Sequence, residues 1–74
     1  MWKEVDAHIE QEFTFTDFKS ALAFVNKIGG LAEEQNHHPD IELGYGKVKI
    51  KLTTHSQGGV TNKDWELAHL IDKL

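Results

Sequence analysis

Alternating apolar and polar positions in the first fifteen residues predict two strands. Ile9, Phe13 and Phe15 fall on one face of segment 9–15, and polar side chains fall on the other. This period of two is typical of a strand with one buried face. Residues 2–5 are expected to form a short strand that pairs with it.

A second alternating region in the middle of the chain predicts a β-hairpin. Ile41 and Leu43 form one short apolar row, and the turn residues Gly44-Tyr45-Gly46 follow. In the next segment the apolar and basic positions alternate as Val48, Ile50 and Leu52 against Lys47, Lys49 and Lys51. The lysines are expected to lie across from the glutamates of the long N-terminal strand, where opposite charges stabilise the pairing.

Between these regions the apolar spacing changes to three and four residues, which predicts an amphipathic helix. Thr16 is the expected N-cap, with Asp17 in the first turn. The helix is expected to continue through Gly29-Gly30 and to end before His37, because Pro39 disfavours helical geometry at the residue before it. Its expected apolar stripe is Phe18, Ala21, Leu22, Val25, Ile28 and Ala32.

A second helix is expected after Gly58-Gly59. Thr61 and Asp64 have the spacing of a capping box, with aspartate in the acidic position. The side chains expected to be buried on this helix are Leu67, Ala68, Ile71 and Leu74. The element order is ββαββα, which predicts an α+β two-layer sandwich: a four-stranded antiparallel sheet with two helices on one face. No repeat or linker divides the chain, so one domain is expected over residues 1–74.

Composition narrows the classes of function. The 74 residues include no cysteine, which excludes disulfides, thiolate metal sites and a thiol nucleophile. The cations are 8 lysines without arginine, and the net charge is −4, so we expect no direct nucleic-acid partner. No apolar run is long enough for a membrane span and the N-terminus lacks a signal-peptide core, so a cytoplasmic protein is expected.

The histidine content is the unusual feature, with 5 in 74 residues. His37, His38 and His55 fall at the ends of predicted elements, where scaffolds present side chains to ligands. An unperturbed imidazole titrates near neutral pH, so such a cluster suits general acid and base catalysis. For any one of these histidines taken alone, a solvated side chain or a local cap beside a turn is the more common explanation. His8 and His69 have no assigned role.

A metal site is an alternative use of the same histidines. His37, His38 and His55 with Glu33 or Glu34 could provide three or four ligands. Adjacent residues point their side chains apart, however, and no helical His-x-x-x-His pair exists. Metal binding is therefore not expected.

Three further positions have ordinary structural explanations. Asp64 is accounted for by the capping box, Tyr45 by an aromatic cover on the hairpin, and Gly58-Gly59 by a turn. A functional role for any of them requires an argument beyond local structure.

A longer pattern supplies that argument. It consists of an acidic residue, three positions, His-His-Pro, an aromatic residue six positions on, a histidine ten later and an aspartate nine beyond. Its members are Glu33, His37, His38, Pro39, Tyr45, His55 and Asp64. This pattern resembles the signature of the pterin-4a-carbinolamine dehydratase family, and the resemblance extends from about Trp2 to the C-terminus.

The resemblance implies a fold that agrees with the predicted element order. It also implies removal of water from 4a-hydroxytetrahydropterin to give quinonoid dihydropterin, in tetrahydrobiopterin recycling for aromatic amino-acid hydroxylases. His37, His38 and His55 would be the catalytic acid and base groups, with no metal and no cofactor, since the pterin is the substrate. The substrate-binding positions implied are Glu33, Pro39, Tyr45, Thr54, Ser56 and Asp64.

Two departures from the family pattern concern assembly and affinity. The N-terminal helix of longer members is expected to be missing, and Ile41 and Glu42 replace the Trp-Phe pair typical of animal members. A homodimer or homotetramer is expected, because the core of so small a domain is limited. The alternative function is a non-catalytic accessory protein, either a dimerisation cofactor of a transcription factor or an assistant in another pterin pathway.

Overall fold

The computed structural model describes residues 1–74, which form one antiparallel sheet and two α-helices. The elements in chain order are β1 (Lys3–Val5), β2 (His8–Thr14), α1 (Phe18–Gln35), β3 (Asp40–Gly44), β4 (Lys47–Leu52), a short 3₁₀ helix (His55–Gln57) and α2 (Asn62–Asp72). The strands lie in the order β1-β2-β4-β3. The predicted α+β architecture and the ββαββα order are confirmed.

Strand register separates the sheet into an apolar and a charged face. In the β2–β4 ladder Ile9 pairs with Leu52 and Phe13 with Val48, and between them the buried Gln11 lies opposite Ile50. On the other face Glu10 lies opposite Lys51. The predicted placement of lysines across from glutamates is confirmed, and an ion pair joins Lys49 Nζ to Glu10 Oε2 at 3.4 Å.

Both helices cover the apolar face and contribute to a single core. The buried hydrophobic residues are Ile9, Ala21, Ile28, Ala32, Val48, Ile50, Leu52, Leu67, Ala68 and Ile71. The accessible surface is 4817 Å², close to the roughly 4,600 Å² expected for a folded chain of this mass. Neither helix combines the length and the apolar character that crossing a membrane requires.

The start of α1 differs from the prediction. The N-cap is Asp17 and not Thr16, because the Asp17 carboxylate accepts a hydrogen bond from the backbone N–H of Ser20 at 2.8 Å. This bond also lowers the pKa of Asp17. The predicted apolar stripe is correct at its centre but not at its beginning, since Phe18 and Leu22 are 43% and 40% exposed.

Helix α1 ends before His37, as Pro39 predicted. The helix continues through Gly29-Gly30 to Gln35, and Asn36 takes the left-handed conformation with φ 51°. The Asn36 N–H reaches the carbonyls of Ala32 and Glu33, so the last turn is capped before the chain leaves the helix. This cap fixes the direction in which His37 and His38 enter the next segment.

Helix α2 begins with the predicted capping box. Thr61 accepts from a first-turn backbone N–H, and Asp64 accepts from the Thr61 N–H at 2.8 Å. The prediction that Leu74 is buried is wrong, because α2 ends at Asp72 and Leu74 is 46% exposed.

The β3–β4 turn has the predicted position at Tyr45-Gly46. A Cβ atom on residue 46 would lie 2.8 Å from the Phe15 carbonyl oxygen, a distance that only glycine avoids. The Phe15 N–H also donates to the Gly46 carbonyl at 2.8 Å. The hairpin turn is therefore fastened to the end of β2.

Candidate active site

The three predicted catalytic histidines meet at one end of the sheet. His37 and His38 follow the capped end of α1, and His55 opens the 3₁₀ helix after β4. They line one polar cavity of about 310 Å³. Its lining is Asn36, His37, His38, Thr53, Thr54, His55, Ser56 and Lys63. The tertiary structure thus brings together two histidines and a third that lies 17 or more positions later in the chain.

A closed loop holds His55 beside the other two. Thr54 and Gly59 form an isolated antiparallel bridge, in which Thr54 N–H donates to the Gly59 carbonyl at 3.0 Å. Gly58 closes the 3₁₀ turn in the left-handed conformation, with φ 72°. A side chain at residue 58 would be strained there, whereas glycine is not. The glycine pair signalled a turn in the sequence, but not this 3₁₀ helix.

His37 is held from behind by a buried carboxylate. Its Nε2 lies 2.6 Å from Asp64 Oδ1, and the exposed fractions of the two side chains are 11% and 0%. The other oxygen of Asp64 accepts from the Thr54 hydroxyl and the Thr61 N–H, each at 2.8 Å. Asp64 therefore caps α2 and anchors His37 with the same carboxylate.

The charge state of Asp64 follows from these contacts. Burial raises the pKa of Asp64, but the hydrogen bonds from His37, Thr61 and Thr54 outweigh burial and leave it below its usual value. The position in the first turn of α2 also favours a negative charge. An ionised carboxylate only accepts hydrogen bonds, so Nε2 of His37 carries the proton. In neutral His37 the lone pair is consequently on Nδ1.

His38 makes a similar contact in a different environment. Its Nε2 lies 2.5 Å from Glu33 Oε2, but the exposed fractions of these side chains are 57% and 78%. Water therefore competes for both partners. The Glu33 carboxylate lies one α1 turn before the histidines and is outside the cavity lining.

His55 has a third environment, since it is exposed and lies among hydroxyl groups. Thr53, Thr54 and Ser56 line the same cavity. The site thus offers one buried, oriented imidazole and two accessible ones around a small polar space. Such a set can deliver a proton to one atom of a bound molecule and remove a proton from another.

The remaining predicted positions are not all in the cavity. Thr54 and Ser56 line it, Asp64 lies behind His37, and Pro39 is half-buried in the segment between α1 and β3. The structure does not bring Tyr45 to the histidines. Tyr45 lies in the β3–β4 turn, at the end of the hairpin that is remote from the histidines, and it is 72% exposed.

Sequence reasoning did not single out three residues of the lining. They are Asn36, Thr53 and Lys63. Asn36 precedes the histidine pair and Lys63 lies inside the capping box, so their positions in the chain were available signals. Lys63 is the one lysine in the lining. It directly precedes Asp64 in the chain, so contact between Asp64 and His37 brings Lys63 close to the histidines.

The arrangement of donors is unlike a metal centre. The structure contains no group of three or more His, Cys, Asp or Glu side chains placed to hold a metal ion. The carboxylates of Asp64 and Glu33 instead contact separate histidines. Each carboxylate thus contacts its own ring, and the two do not form a shared set of ligands.

Known proteins are similar to this chain in sequence. A chain from Picosynechococcus sp. is 49% identical over 99% of this chain and 79% of its own length, and one from Thermosynechococcus vestitus is 47% identical over 99% and 77%. Both are named "Putative pterin-4-alpha-carbinolamine dehydratase".

Two solved structures are also similar. A transcriptional coactivator/pterin dehydratase from Brucella melitensis superposes with a TM-score of 0.92 at 35% identity, covering 97% of this chain and 79% of that one. A pterin dehydratase-like RuBisCO assembly factor of the alpha-carboxysome has a TM-score of 0.79 at 22% identity, covering 99% and 84%, and at that identity it shows the fold alone.

The family model described as pterin 4 alpha carbinolamine dehydratase matches residues 1–74. The full-length match agrees with the histidine pattern and with the order of the strands and helices. The chain belongs to the pterin 4 alpha carbinolamine dehydratase family.

Proposed function

We propose that this protein dehydrates 4a-hydroxytetrahydropterin to quinonoid dihydropterin. The observation that carries the proposal is the convergence of His37, His38 and His55 on one polar cavity, with one ring oriented by a buried carboxylate. Family membership and the names of the relatives support the same substrate class.

The reaction requires two proton transfers, one to the hydroxyl oxygen on C4a and one from N5, which is also bonded to C4a. The C4a–O bond breaks as the hydroxyl oxygen takes a proton and leaves as water. N5 loses its proton, and its electron pair forms the N5=C4a double bond. No electrons are gained or lost, so a general acid and a general base suffice.

The histidines differ in how well they are positioned for this chemistry. His37 is held by Asp64, so the direction of its free Nδ1 is fixed relative to α2. His38 and His55 are more exposed and can exchange protons with water. We propose that these three rings share the acid and base roles, and that the pterin itself is the only small molecule required.

The physiological setting is part of the proposal. Quinonoid dihydropterin is the form that reduction returns to a tetrahydropterin, so the activity fits the recycling of tetrahydrobiopterin. The accessory function remains the alternative, and it needs no titratable rings in a shared cavity. A cytoplasmic location and a homodimer or homotetramer stay predictions.

The direct experiment follows dehydration of synthetic 4a-hydroxytetrahydropterin by absorbance. Wild type is compared with His37→Ala, His38→Ala and His55→Ala. Each loss of an acid or base group is expected to lower kcat/KM by about 100-fold or more. The matched control is His69→Ala, because His69 is an exposed residue of α2 outside the cavity.

The outcomes separate the two functions. Wild-type protein that does not exceed the uncatalysed rate would exclude the dehydratase and favour the accessory function. An active protein in which His69→Ala is as impaired as the other three would show that the loss is not specific to the cavity. Circular dichroism of each variant identifies any that fail to fold.

A further inference from the structure

A second cavity adjoins the histidine cavity on the charged side of the sheet. It has a volume of about 330 Å³ and is lined by side chains of β2, β3 and β4 and by the His55 loop. Two residues, Thr53 and His55, line both cavities. His55 is the only one of the three site histidines that does so. The two cavities therefore border each other at Thr53 and His55, and a ligand that occupied both would contact these two side chains.

The second cavity carries both hydrogen-bond donors and acceptors. Lys51 supplies an ammonium group, and Asp40, its partner in the β3–β4 register, supplies a carboxylate. A further carboxylate is near, since Lys51 Nζ lies 3.5 Å from Glu42 Oε2. This mixture repels a free anion but matches hydroxyl groups, which donate and accept. The chemistry thus favours a neutral polyol.

The covalent structure of the proposed substrate places a substituent beside the reacting atoms. C6 of the pterin is bonded to N5, and N5 is bonded to C4a. The first atom of a side chain on C6 therefore lies two bonds from N5, the atom that loses its proton. A histidine that exchanges a proton with N5 must therefore also border the space into which the C6 side chain extends.

We infer that the second cavity binds a hydroxylated C6 side chain of the pterin, with Lys51 as a specificity-determining contact and His55 at the N5 edge. This inference rests on the proposed function. Each cavity alone is at the small end of the roughly 300–1,000 Å³ that ligand sites occupy. Together they provide separate space for a planar ring and for a polar substituent.

The test compares two substrates that differ only at C6. One carries a methyl group and the other a dihydroxypropyl group. Lys51→Met is expected to raise KM about tenfold for the dihydroxypropyl substrate, because a hydrogen bond from a charged donor is lost. The value of kcat, and both constants for the methyl substrate, are expected to be unchanged.

Lys47→Met is the matched control. It removes the same charge from the same strand, but Lys47 pairs with Gly44 at the opposite end of the β3–β4 ladder. Asp40→Asn is the second variant, because it removes an acceptor from the cavity. It is expected to produce the same selective rise in KM.

Two results would overturn the inference. One is an equal effect of Lys51→Met on both substrates, or no effect on either. The other is tighter binding of a C6 phosphate ester than of the diol, which would make the cavity an anion site.

Failure of the proposed function is distinguishable from failure of the subsite. If wild type dehydrates neither substrate, the proposed function is excluded. Fluorescence titration with the 7,8-dihydro forms of the two pterins then tests the subsite directly. Preferential binding of the dihydroxypropyl form that is lost in Lys51→Met supports it, and equal binding of both forms contradicts it.

Discussion

Two histidine–carboxylate pairs lie a few residues apart in this protein, yet they are in opposite environments. The His37–Asp64 pair joins the end of α1 to the start of α2, and its carboxylate is fully buried. The His38–Glu33 pair lies within one chain segment, and its carboxylate is 78% exposed. Their Nε2–oxygen distances, 2.6 and 2.5 Å, are nearly the same.

The difference shows that distance alone does not measure the importance of an ion pair. An exposed pair contributes about 0–1 kcal/mol, because water and salt screen it and both side chains lose freedom. A buried carboxylate that accepts several hydrogen bonds cannot lose a partner without leaving a donor or acceptor unpaired. We therefore expect Asp64 to matter both for the position of His37 and for folding.

The largest expected effect is on catalysis. Asp64→Asn replaces one accepting oxygen by an amide nitrogen that donates, so the side chain can no longer accept from His37 on one side and from Thr54 and Thr61 on the other. The orientation of His37 is therefore weakened. A misplaced catalytic group costs on the order of 100-fold in rate, and we expect kcat to fall by about that factor. Glu33→Gln is the comparison, and it is expected to lower kcat by less than about fivefold. Steady-state kinetics on 4a-hydroxytetrahydropterin measures both.

Equal losses in the two variants would contradict the comparison. Asp64→Glu tests orientation separately, because it keeps the charge but moves the carboxylate by one methylene. We expect it to remain well below wild type. Recovery of full activity in Asp64→Glu would indicate that charge alone is required.

The next effect is on stability and its dependence on pH. Asp64→Asn is expected to lower the free energy of unfolding at pH 7 by about 2 kcal/mol, through lost bonds to a charged acceptor. Because the pKa of Asp64 is lowered in the folded state, its contribution is complete above the unfolded value of about 3.9 and is lost as pH falls through the folded value. Urea unfolding of both proteins from pH 7 to pH 3 measures this.

The expected signature is a gap between wild type and Asp64→Asn that narrows below about pH 4. A gap that stays constant over this range would show that the stabilisation does not depend on ionised Asp64. Glu33→Gln serves as the control and is expected to stay within about 0.5 kcal/mol of wild type at pH 7.

The smallest expected effect comes from removing one hydrogen bond that Asp64 accepts, the bond from the Thr54 hydroxyl. Thr54→Val keeps the shape of the side chain but removes the hydroxyl that donates to Asp64 at 2.8 Å. We expect a loss of about 1 kcal/mol in the free energy of unfolding, measured by urea titration. Thr53→Val is the neighbouring control, since the Thr53 hydroxyl donates to the Ala7 carbonyl and not to Asp64. A rise in the midpoint for Thr54→Val would contradict the role assigned to this bond.

Local sequence patterns predicted most of the fold because each depends on near neighbours. The period of two located β2 and the hairpin, and Pro39 located the end of α1. The same rules failed where neighbours compete. Thr16 and Asp17 are both good caps, and the bond from Ser20 selected Asp17.

The site was predictable in part for the same reason. His37 and His38 precede a proline and follow a helix, so their place at an element end follows from local rules. Tyr45 belongs to the family pattern but lies at the far end of the hairpin. Spacing along the sequence does not show how far apart two residues are in the fold. Lys63 was missed because its contribution depends on where α2 begins relative to His37.

The sequence by itself determined the four strands, the two α-helices, the two faces of the sheet and the residue types available for proton transfer. Periodicity, capping and turn chemistry act over a few residues, so they can be derived without the fold. Only the tertiary structure decided that Asp64 holds His37, that the Glu33 pair is exposed and that His55 borders two cavities. These properties depend on burial and on contacts between distant segments, which packing creates.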